Sequence, residues 1–391
     1  MTHRPTVAGL FAGIGGIELG LNNAGYETAG LCEIDESGRT VLRDRFNLPT
    51  NRLWRDVTQL KRLPKVDLVT AGFPCQDLSQ AGRKSGIGGA QSGLVEHVFR
   101  LIDGGNVETV LLENVSYMLR LDKGGAMNFL VTEFEDRGYR WAYRVVDARS
   151  FGVPQRRQRV LFVASRSEDP SAVLHADDAL VPEFDDRVGD IDLSSAYGFY
   201  WTEGKRGLGW TRDAVPTVKG GSRLGIPSPP AVWVPATGEV GTPLIEDAER
   251  LQGFTADWTI AAETEGNRKG ARWHLVGNAV CVPMSEWVGR RLLEPGQVTA
   301  PVRPLKRAKW PIAARGGPGL QRESVDVSVR VADQPFSLVD YLSQPLKPLS
   351  ARATRGFLKR AREGKLRFAD GFLESLDEHL DSMESAEQPA A

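Results

Sequence analysis

The residues with the most chemistry sit in one short stretch, Leu68-Val69-Thr70-Ala71-Gly72-Phe73-Pro74-Cys75-Gln76. An apolar run ends in Gly-Phe-Pro and delivers a cysteine to the start of a Gly/Ser-rich loop. This reads as a short buried strand with a nucleophilic sulfur at its carboxyl end, where open α/β sheets place their ligands. Proline holds the turn, and glycine allows close backbone approach. The plainer reading is a small buried hydrophobe, the usual state of a free cysteine. The neighbouring sequence separates the two.

Glu113 ends a second apolar run, Val110-Leu111-Leu112, and is followed by Asn114 and Val115. There it is either a surface or capping carboxylate or a partly buried acid with a raised pKa. Further on, Pro154-Gln155-Arg156-Arg157-Gln158-Arg159 clusters guanidiniums. Alternation through Arg157, Arg159 and Leu161 predicts a strand edge with two guanidiniums on one side. Such an edge is a solvated basic patch or, in the sharper reading, an anion site. Near the start, a strand predicted over 7–11 runs into Ala12-Gly13-Ile14-Gly15-Gly16 and a helical stretch. Strand, glycine turn and helix is how a doubly wound sheet opens a nucleotide site. Glu18 occupies the place of the third glycine of a dinucleotide fingerprint, which weakens that match. Two more predicted strand ends carry Glu33, suited to a ribose diol, and Asp56, able to accept from an adenine amino group. Singly each carboxylate is an ordinary surface charge; in succession they favour a nucleoside-type ligand.

A sheet has to bring these groups together. The apolar runs predict strands near 7–11, 29–33, 53–57, 68–71, 110–115 and 139–147, with helices near 17–21 and 94–102. The segment 76–94 is too glycine-rich for a regular element and too long for a casual turn. With Arg83 and Lys84 in it, it reads as a lid that closes over an anionic substrate. The 391 residues leave room for about two or three domains. A formal net charge of −1 excludes a uniformly basic nucleic-acid coat and leaves local basic faces open. Three well-separated cysteines (Cys32, Cys75, Cys281) argue against a disulfide framework and for a reducing compartment. No Cys or His clustering has the spacing of a metal site, so no metal is expected. The opening Met1-Thr2-His3-Arg4-Pro5 leads into a strand, and no apolar run approaches membrane-spanning length. A cytoplasmic location without a membrane partner is expected.

The order of these motifs resembles that of the DNA (cytosine-5)-methyltransferases. The resemblance rests on Phe11-Ala12-Gly13-Ile14-Gly15-Gly16, Glu33, Asp56, Gly72-Phe73-Pro74-Cys75-Gln76, Glu113-Asn114-Val115 and Pro154-Gln155-Arg156-Arg157-Gln158-Arg159. Arg250-Leu251-Gln252-Gly253-Phe254 and Gly277-Asn278-Ala279-Val280 continue it, so it covers about residues 7 to 293. It implies an α/β fold with a doubly wound mixed sheet, Rossmann-like, and a smaller irregular, mostly β/loop target-recognition domain. It implies S-adenosylmethionine held by Phe11, Gly13, Gly15, Gly16, Glu33, Asp56, Pro74, Asn278 and Val280. Cys75 would be the nucleophile and Glu113 the acid at the base's N3, with Arg157 and Arg159 holding the base and its phosphate. Double-stranded DNA would be the partner, contacted by Gln76, Ser79, Arg83 and Lys84 of the lid. Two departures stand out: Asp247 where the family commonly has Glu, and Gln91 where the lid often carries Arg.

The stretch 197–223 interleaves basic and aromatic residues with glycines. Arg206, Arg212 and Arg223 are its expected DNA contacts; the aromatics are either contacts too or the core of a small domain. The expected division is 5–165 for the first part of the catalytic domain, 166–241 for target recognition and 242–294 for a segment completing the catalytic domain. Residues 295–391 remain as a linker and partly helical extension, with 301–311 the linker and 325–331 alternating like a strand. The expected activity is methyl transfer to C5 of a flipped-out cytosine through a Cys75–C6 adduct, in a restriction-modification or related self-marking system. A cognate restriction endonuclease acting separately stands as an open partner, and a monomer is the default. An RNA cytosine-5 methyltransferase and a catalytically silent DNA-binding regulator are the alternatives.

Overall fold

The computed structural model describes residues 4–74, 93–221, 227–263, 270–306 and 309–387. Two compact units divide the chain. One comprises Met1–Phe151, Gln158–Val181 and Ala279–Asp333, and the other Gly152–Arg157, Pro182–Asn278 and Gln334–Ala391.

The first unit is built on a ten-stranded sheet. Strands β1 (Thr6–Leu10), β2 (Glu27–Cys32), β3 (Leu53–Trp54), β4 (Leu68–Ala71) and β5 (Thr109–Val115) run parallel in the order β3-β2-β1-β4-β5. Strands of a covered parallel sheet must be apolar along their length, and β4 is buried at every residue. From β1 the chain builds outward to β2 and β3, then returns to the other side for β4 and β5. The winding direction therefore reverses between β1 and β4, and the crevice for a ligand lies at their carboxyl ends. Beyond β5 the sheet continues antiparallel through β8 (Gln158–Ser165), β6 (Arg140–Asp147), β15 (Ala313–Gly316), β16 (Glu323–Val325) and β14 (Val302–Pro304).

Helices α1 (Gly16–Ala24), α2 (Glu36–Arg45), α3 (Leu94–Gly105), α4 (Gly125–Asp136), α5 (Pro170–Leu174) and α8 (Val282–Leu293) belong to this unit. Left-handed glycines bound α1 at both ends, Gly15 (φ 82°) and Gly25 (φ 114°). Its packing on α8 depends on glycine for a different reason. A Cβ at Gly20 would stand 2.4 Å from the Val282 carbonyl oxygen, so only glycine lets the two backbones approach this closely. On α3 and α4, Val95, Val98, Phe99, Leu130 and Phe134 share one core with Val110, Leu112, Trp141 and Phe162 of the sheet.

The second unit holds an antiparallel sheet in the order β10 (Thr211–Arg212), β9 (Tyr197–Phe199), β12 (Ala231–Val234), β13 (Glu239–Thr242), β17 (Lys347–Pro348). A separate parallel pair joins β7 (Gln155–Arg156) to β11 (Val215–Pro216). Its helices are α6 (Ile245–Arg250), α7 (Ala271–Asn278), α9 (Leu338–Tyr341), α10 (Ala351–Glu363) and α11 (Phe372–Glu387). Phe372 of α11 meets Phe199, Trp210 and Trp233 at ring-centroid distances of 5.0, 5.1 and 5.2 Å. Aromatic pairs of this kind each contribute about 1 kcal/mol beyond the area they bury.

Several expectations are refined on this fold. The alternation through Arg157, Arg159 and Leu161 is not one strand, because pairing switches at Arg157 from β11 to β5 and β6. Of the two readings open for the aromatics, Tyr197, Phe199 and Trp210 follow the second and form the core of this unit. The chain after residue 295 is not an appendage. Residues 302–325 supply three strands to the first unit's sheet, 347–348 add β17 to the second unit's sheet, and α10 and α11 complete that unit's aromatic core. The predicted strand at 325–331 is shorter and earlier, at β16, and the expected linker contains β14. Within 242–254 the helix is confined to α6, with Gly253 (φ 84°) turning the chain beyond it.

Candidate active site

The carboxyl edge of the parallel strands gathers most of the described residues picked out by sequence. After β1 the backbone turns through left-handed Phe11 (φ 56°), Gly13 (φ 58°) and Gly15 (φ 82°). Only glycine adopts such angles freely, so Phe11 holds a strained conformation of the kind that clusters at ligand sites. The turn is fastened by Ala12 N–H donating to the Cys32 carbonyl (3.0 Å) and Gly15 N–H to the Ala12 carbonyl (2.8 Å). A Cβ at Gly13 would meet nothing within 4 Å, so the loop faces open space there. At Gly15 the same atom would strike the Phe46 ring at 2.3 Å. Gly16 is buried at the start of α1.

Glu33 follows β2 and accepts from Gly13 N–H (2.7 Å) and Asp35 N–H (2.8 Å), which ties the second strand end to the glycine loop. Burial raises its pKa above the ordinary carboxylate value, against those two hydrogen bonds. A carboxylate has about four acceptor sites, so these bonds, with a further one from the Ile34 backbone, leave capacity for a ligand. Asp56, after β3, accepts on Oδ1 from the Thr58 hydroxyl (2.7 Å) and backbone N–H (2.8 Å). These hydrogen bonds, the hydroxyl's first, lower its pKa. Its Oδ2 has no partner among the described residues.

Glu113 is 8 % exposed at the end of β5, and the Arg159 Nε lies 2.9 Å from its Oε1. The antiparallel register places Val115 opposite Arg159, which brings the guanidinium to the strand end that carries the acid. A Cβ at Gly72 would lie 3.6 Å from Glu113 Oε2, 3.8 Å from Val280 Cγ2 and 3.9 Å from Ile17 Cδ1. One point beside β4 thus adjoins the acid, the predicted cofactor residue Val280 and the first turn of α1. Asn114, singled out only as part of its motif, donates from Nδ2 to the Phe73 carbonyl (2.9 Å). That bond anchors the turn leading to Pro74, which is exposed. Cys75, Gln76, Ser79, Arg83, Lys84 and Arg223 lie outside the described residues.

In the second unit Arg157 is 1 % exposed, with NH1 and NH2 directed to the carbonyls of Val218 (3.5 Å) and Gly277 (3.3 Å). The expected exposed anion binder is here a buried group gripping backbone. Gln155 beside it donates to the Leu251 carbonyl (2.5 Å) and accepts from Val218 N–H (3.0 Å). Asn278 ends α7, with Nδ2 3.1 Å from His274 Nε2. Arg206 is exposed, and Arg212, also exposed, pairs with Asp192.

Sequence reasoning noted Glu18 only as a departure from a glycine pattern. It is 1 % exposed, bonded through Oε1 to the Thr70 hydroxyl (2.6 Å), and its Oε2 has no partner among the described residues. A carboxylate directly after a glycine turn, on the first turn of a helix facing a sheet, was the available signal. Burial pushes its pKa up from 4.5 to about 7. Between those values the unfolded chain has lost this proton while the folded chain keeps it, so stability falls as pH rises through the window and levels off above it. Glu18→Gln keeps the neutral shape without titrating. It is expected to stabilise the protein near pH 8 by up to roughly 3 kcal/mol and to flatten the decline. Thermal melts of both proteins across that range check this; equal melting temperatures near pH 8 contradict it.

Comparison with known proteins places this geometry in context. The family model described as C-5 cytosine-specific DNA methylase matches residues 6–206. The chain is 49 % identical over 380 residues to the Type II methyltransferase M2.BsuMI of Bacillus subtilis (strain 168), spanning 95 % of this chain and 97 % of that one. It is 26 % identical over 298 residues to the Type II methyltransferase M.MspI of Moraxella sp, covering 70 % and 67 % of the two chains. Among solved structures, the Dnmt2 methyltransferase of S. pombe aligns with a TM-score of 0.52 at 16 % identity, covering 74 % of this chain and 99 % of that one. The Entamoeba histolytica methyltransferase EhMeth gives 0.53 at 12 % identity, covering 75 % and 99 %. At those identities the structural likeness speaks for the fold.

Proposed function

The chain belongs to the C-5 cytosine-specific DNA methylases, and on that premise we propose that it methylates C5 of a cytosine flipped out of a short duplex DNA sequence, through a covalent adduct with Cys75. The observation that carries this reading is the cluster at the carboxyl ends of β4 and β5: Glu113 beside Gly72, Val280 and Arg159. S-adenosylmethionine suits the adjoining edge on three counts. The glycine loop faces open space at Gly13, Glu33 keeps acceptor sites for a ribose diol, and Asp56 Oδ2 is available to an adenine amino group. Phe11, Gly13, Gly15, Gly16, Glu33, Asp56, Pro74, Asn278 and Val280 would hold it. When bound, it supplies an electrophilic methyl group on a sulfonium, so the protein need only make the base nucleophilic.

Cytosine C5 is a poor nucleophile, and the chain's own groups change that. The Cys75 thiolate adds to C6, which raises the electron density at C5. Glu113 hydrogen-bonds or protonates N3, taking up the charge that develops in the ring. Arg159 fixes the Glu113 carboxyl and faces the base, and Arg157 keeps its two carbonyls in place as a positioning residue. After transfer the C5 proton passes to solvent, its electron pair re-forms the C5–C6 double bond and Cys75 leaves as the thiolate, so the ring is aromatic again.

A stacked base cannot reach this site, so the target must be extruded at a cost of a few kcal/mol. Gln76 or Ser79 would fill the vacated space, and Arg83 and Lys84 would contact the DNA backbone. Arg206, Arg212 and Arg223 contact DNA from the second unit. A separately acting endonuclease and a cytoplasmic monomer complete the reading. Among the described residues no helix is long and apolar enough to cross a membrane. The test is tritiated methyl transfer to mixed-sequence duplex DNA, followed by bisulfite sequencing of the product. Label at cytosine C5 within one recurring sequence supports the proposal; label confined to RNA, or none despite cofactor binding, refutes it.

A further inference from the structure

A groove of about 790 Å³ lies in the first unit, between the start of α4 and the segment that leads from β14 to β15. Its lining includes Lys123, Lys306, Lys309, Arg322, Trp310 and Asp122. Arg322 is neutralised by Glu135 and bonded to Asn128 and Thr132 of α4. The three lysines are different. All are exposed, and none is paired with a carboxylate among the described residues. With Asp122 as the acidic member of the lining, an excess of positive charge remains on one concave surface.

The rest of the groove is built rather than incidental. Trp310 donates from Nε1 to the Gly124 carbonyl (3.0 Å) and packs edge-on against Trp141 and Tyr143, 6.1 Å from each ring. Asp122, Lys123 and Gly124 are left-handed in succession (φ 51°, 54° and 90°) where the chain enters α4. This turn closes the segment Ser116–Gly124 that follows β5, the strand that carries Glu113. β15 stands three strands from β5 in the order β15-β6-β8-β5, roughly 14 Å at the usual strand spacing. That is less than one turn of a duplex, about 34 Å.

We propose that this groove binds the phosphodiester backbone of the DNA substrate beside the target base, with Lys123, Lys306 and Lys309 as phosphate contacts. The inference rests on the reading of the chain as a DNA methyltransferase and assigns the C-terminal strands β14 to β16 a part in substrate binding. Unpaired lysines in a groove suit phosphates because each releases condensed counterions when it docks, and this makes the contact measurable.

The test uses the full chain and a fluorescein-labelled mixed-sequence duplex, with affinity followed by anisotropy as salt is raised. The triple variant Lys123→Gln/Lys306→Gln/Lys309→Gln is expected to lower the slope of log affinity against log salt by about 2.7, some 0.9 per phosphate. A control variant removes three exposed charges from the segment before β4, Lys61→Gln/Arg62→Gln/Lys65→Gln, and should keep the wild-type slope. Cofactor affinity of each variant reports that it is folded. An unchanged slope in the groove variant overturns the proposal, and so does an equal fall in the control, which would reflect net charge alone. Wild-type protein that binds cofactor yet neither binds nor methylates DNA refutes the parent reading together with the groove, whereas methylation with an unchanged slope refutes the groove alone.

Discussion

Cys75→Ala is expected to abolish methyl transfer to duplex DNA while cofactor affinity is retained. Without addition at C6 the ring keeps its aromatic electron distribution, and C5 has no lone-pair density to offer the sulfonium methyl. Removing a covalent nucleophile costs on the order of 10⁴-fold or more, because the groups left behind bind the substrate without activating it. No other thiol can take over. Cys32 is 2 % exposed, its thiol pushed up to about 12 by burial, and Cys281 is fully buried. The turn that delivers Cys75 is held by Asn114 through the Phe73 carbonyl, so the substitution alters the nucleophile and leaves its support intact. Tritium incorporation into DNA is the readout, with cofactor binding by calorimetry beside it. Residual transfer within about tenfold of wild type would mean that another group attacks the base, and the covalent route would have to be abandoned.

Glu113→Gln is expected to lower kcat by about 10² to 10⁴-fold, the usual worth of a positioned general acid. Glutamine keeps the length and a hydrogen bond but cannot pass a proton to N3. Because Glu113 is nine-tenths buried and within 2.9 Å of Arg159 Nε, the change also removes the carboxylate that faces a nearly buried guanidinium. Some loss of stability is therefore expected alongside the loss of rate, and a melt separates the two. The sharper readout is the split between constants: KM for DNA and for cofactor should move little while kcat falls. A KM effect with kcat preserved would reassign Glu113 from proton transfer to binding.

The chemistry of the site was legible because its groups sit at strand ends, and strand ends are local features. Apolar runs ending at Gly72, Glu113 and the glycine loop predict strands, and the observed β1, β4 and β5 match those runs closely. Glu33 bonds back to Gly13 because β1 and β2, whose ends carry the two residues, are neighbours in the sheet. The roles of Arg157 and Glu18 were not legible. A guanidinium in a basic run looks like a surface anion binder until its carbonyl partners are known, and those partners, Val218 and Gly277, are 61 and 120 residues away in sequence. Glu18 reads as a solvated charge until Thr70 and the sheet enclose it.

The tail shows the same limit. Its helices were visible from their apolar spacing, because amphipathic periodicity is written in neighbours three and four residues apart. Its division between two units was not, because that depends on matches such as Arg322 with Glu135, 187 residues apart, and Phe372 with the aromatic residues of β9 and β12. By itself the sequence determined the order of the reactive groups, the strands that carry them and the family they point to. Tertiary structure decided which charges are buried, which guanidinium stands beside Glu113 and where the last hundred residues belong. The physical reason is that backbone pattern follows from local periodicity, whereas burial and pairing follow from which distant surfaces meet.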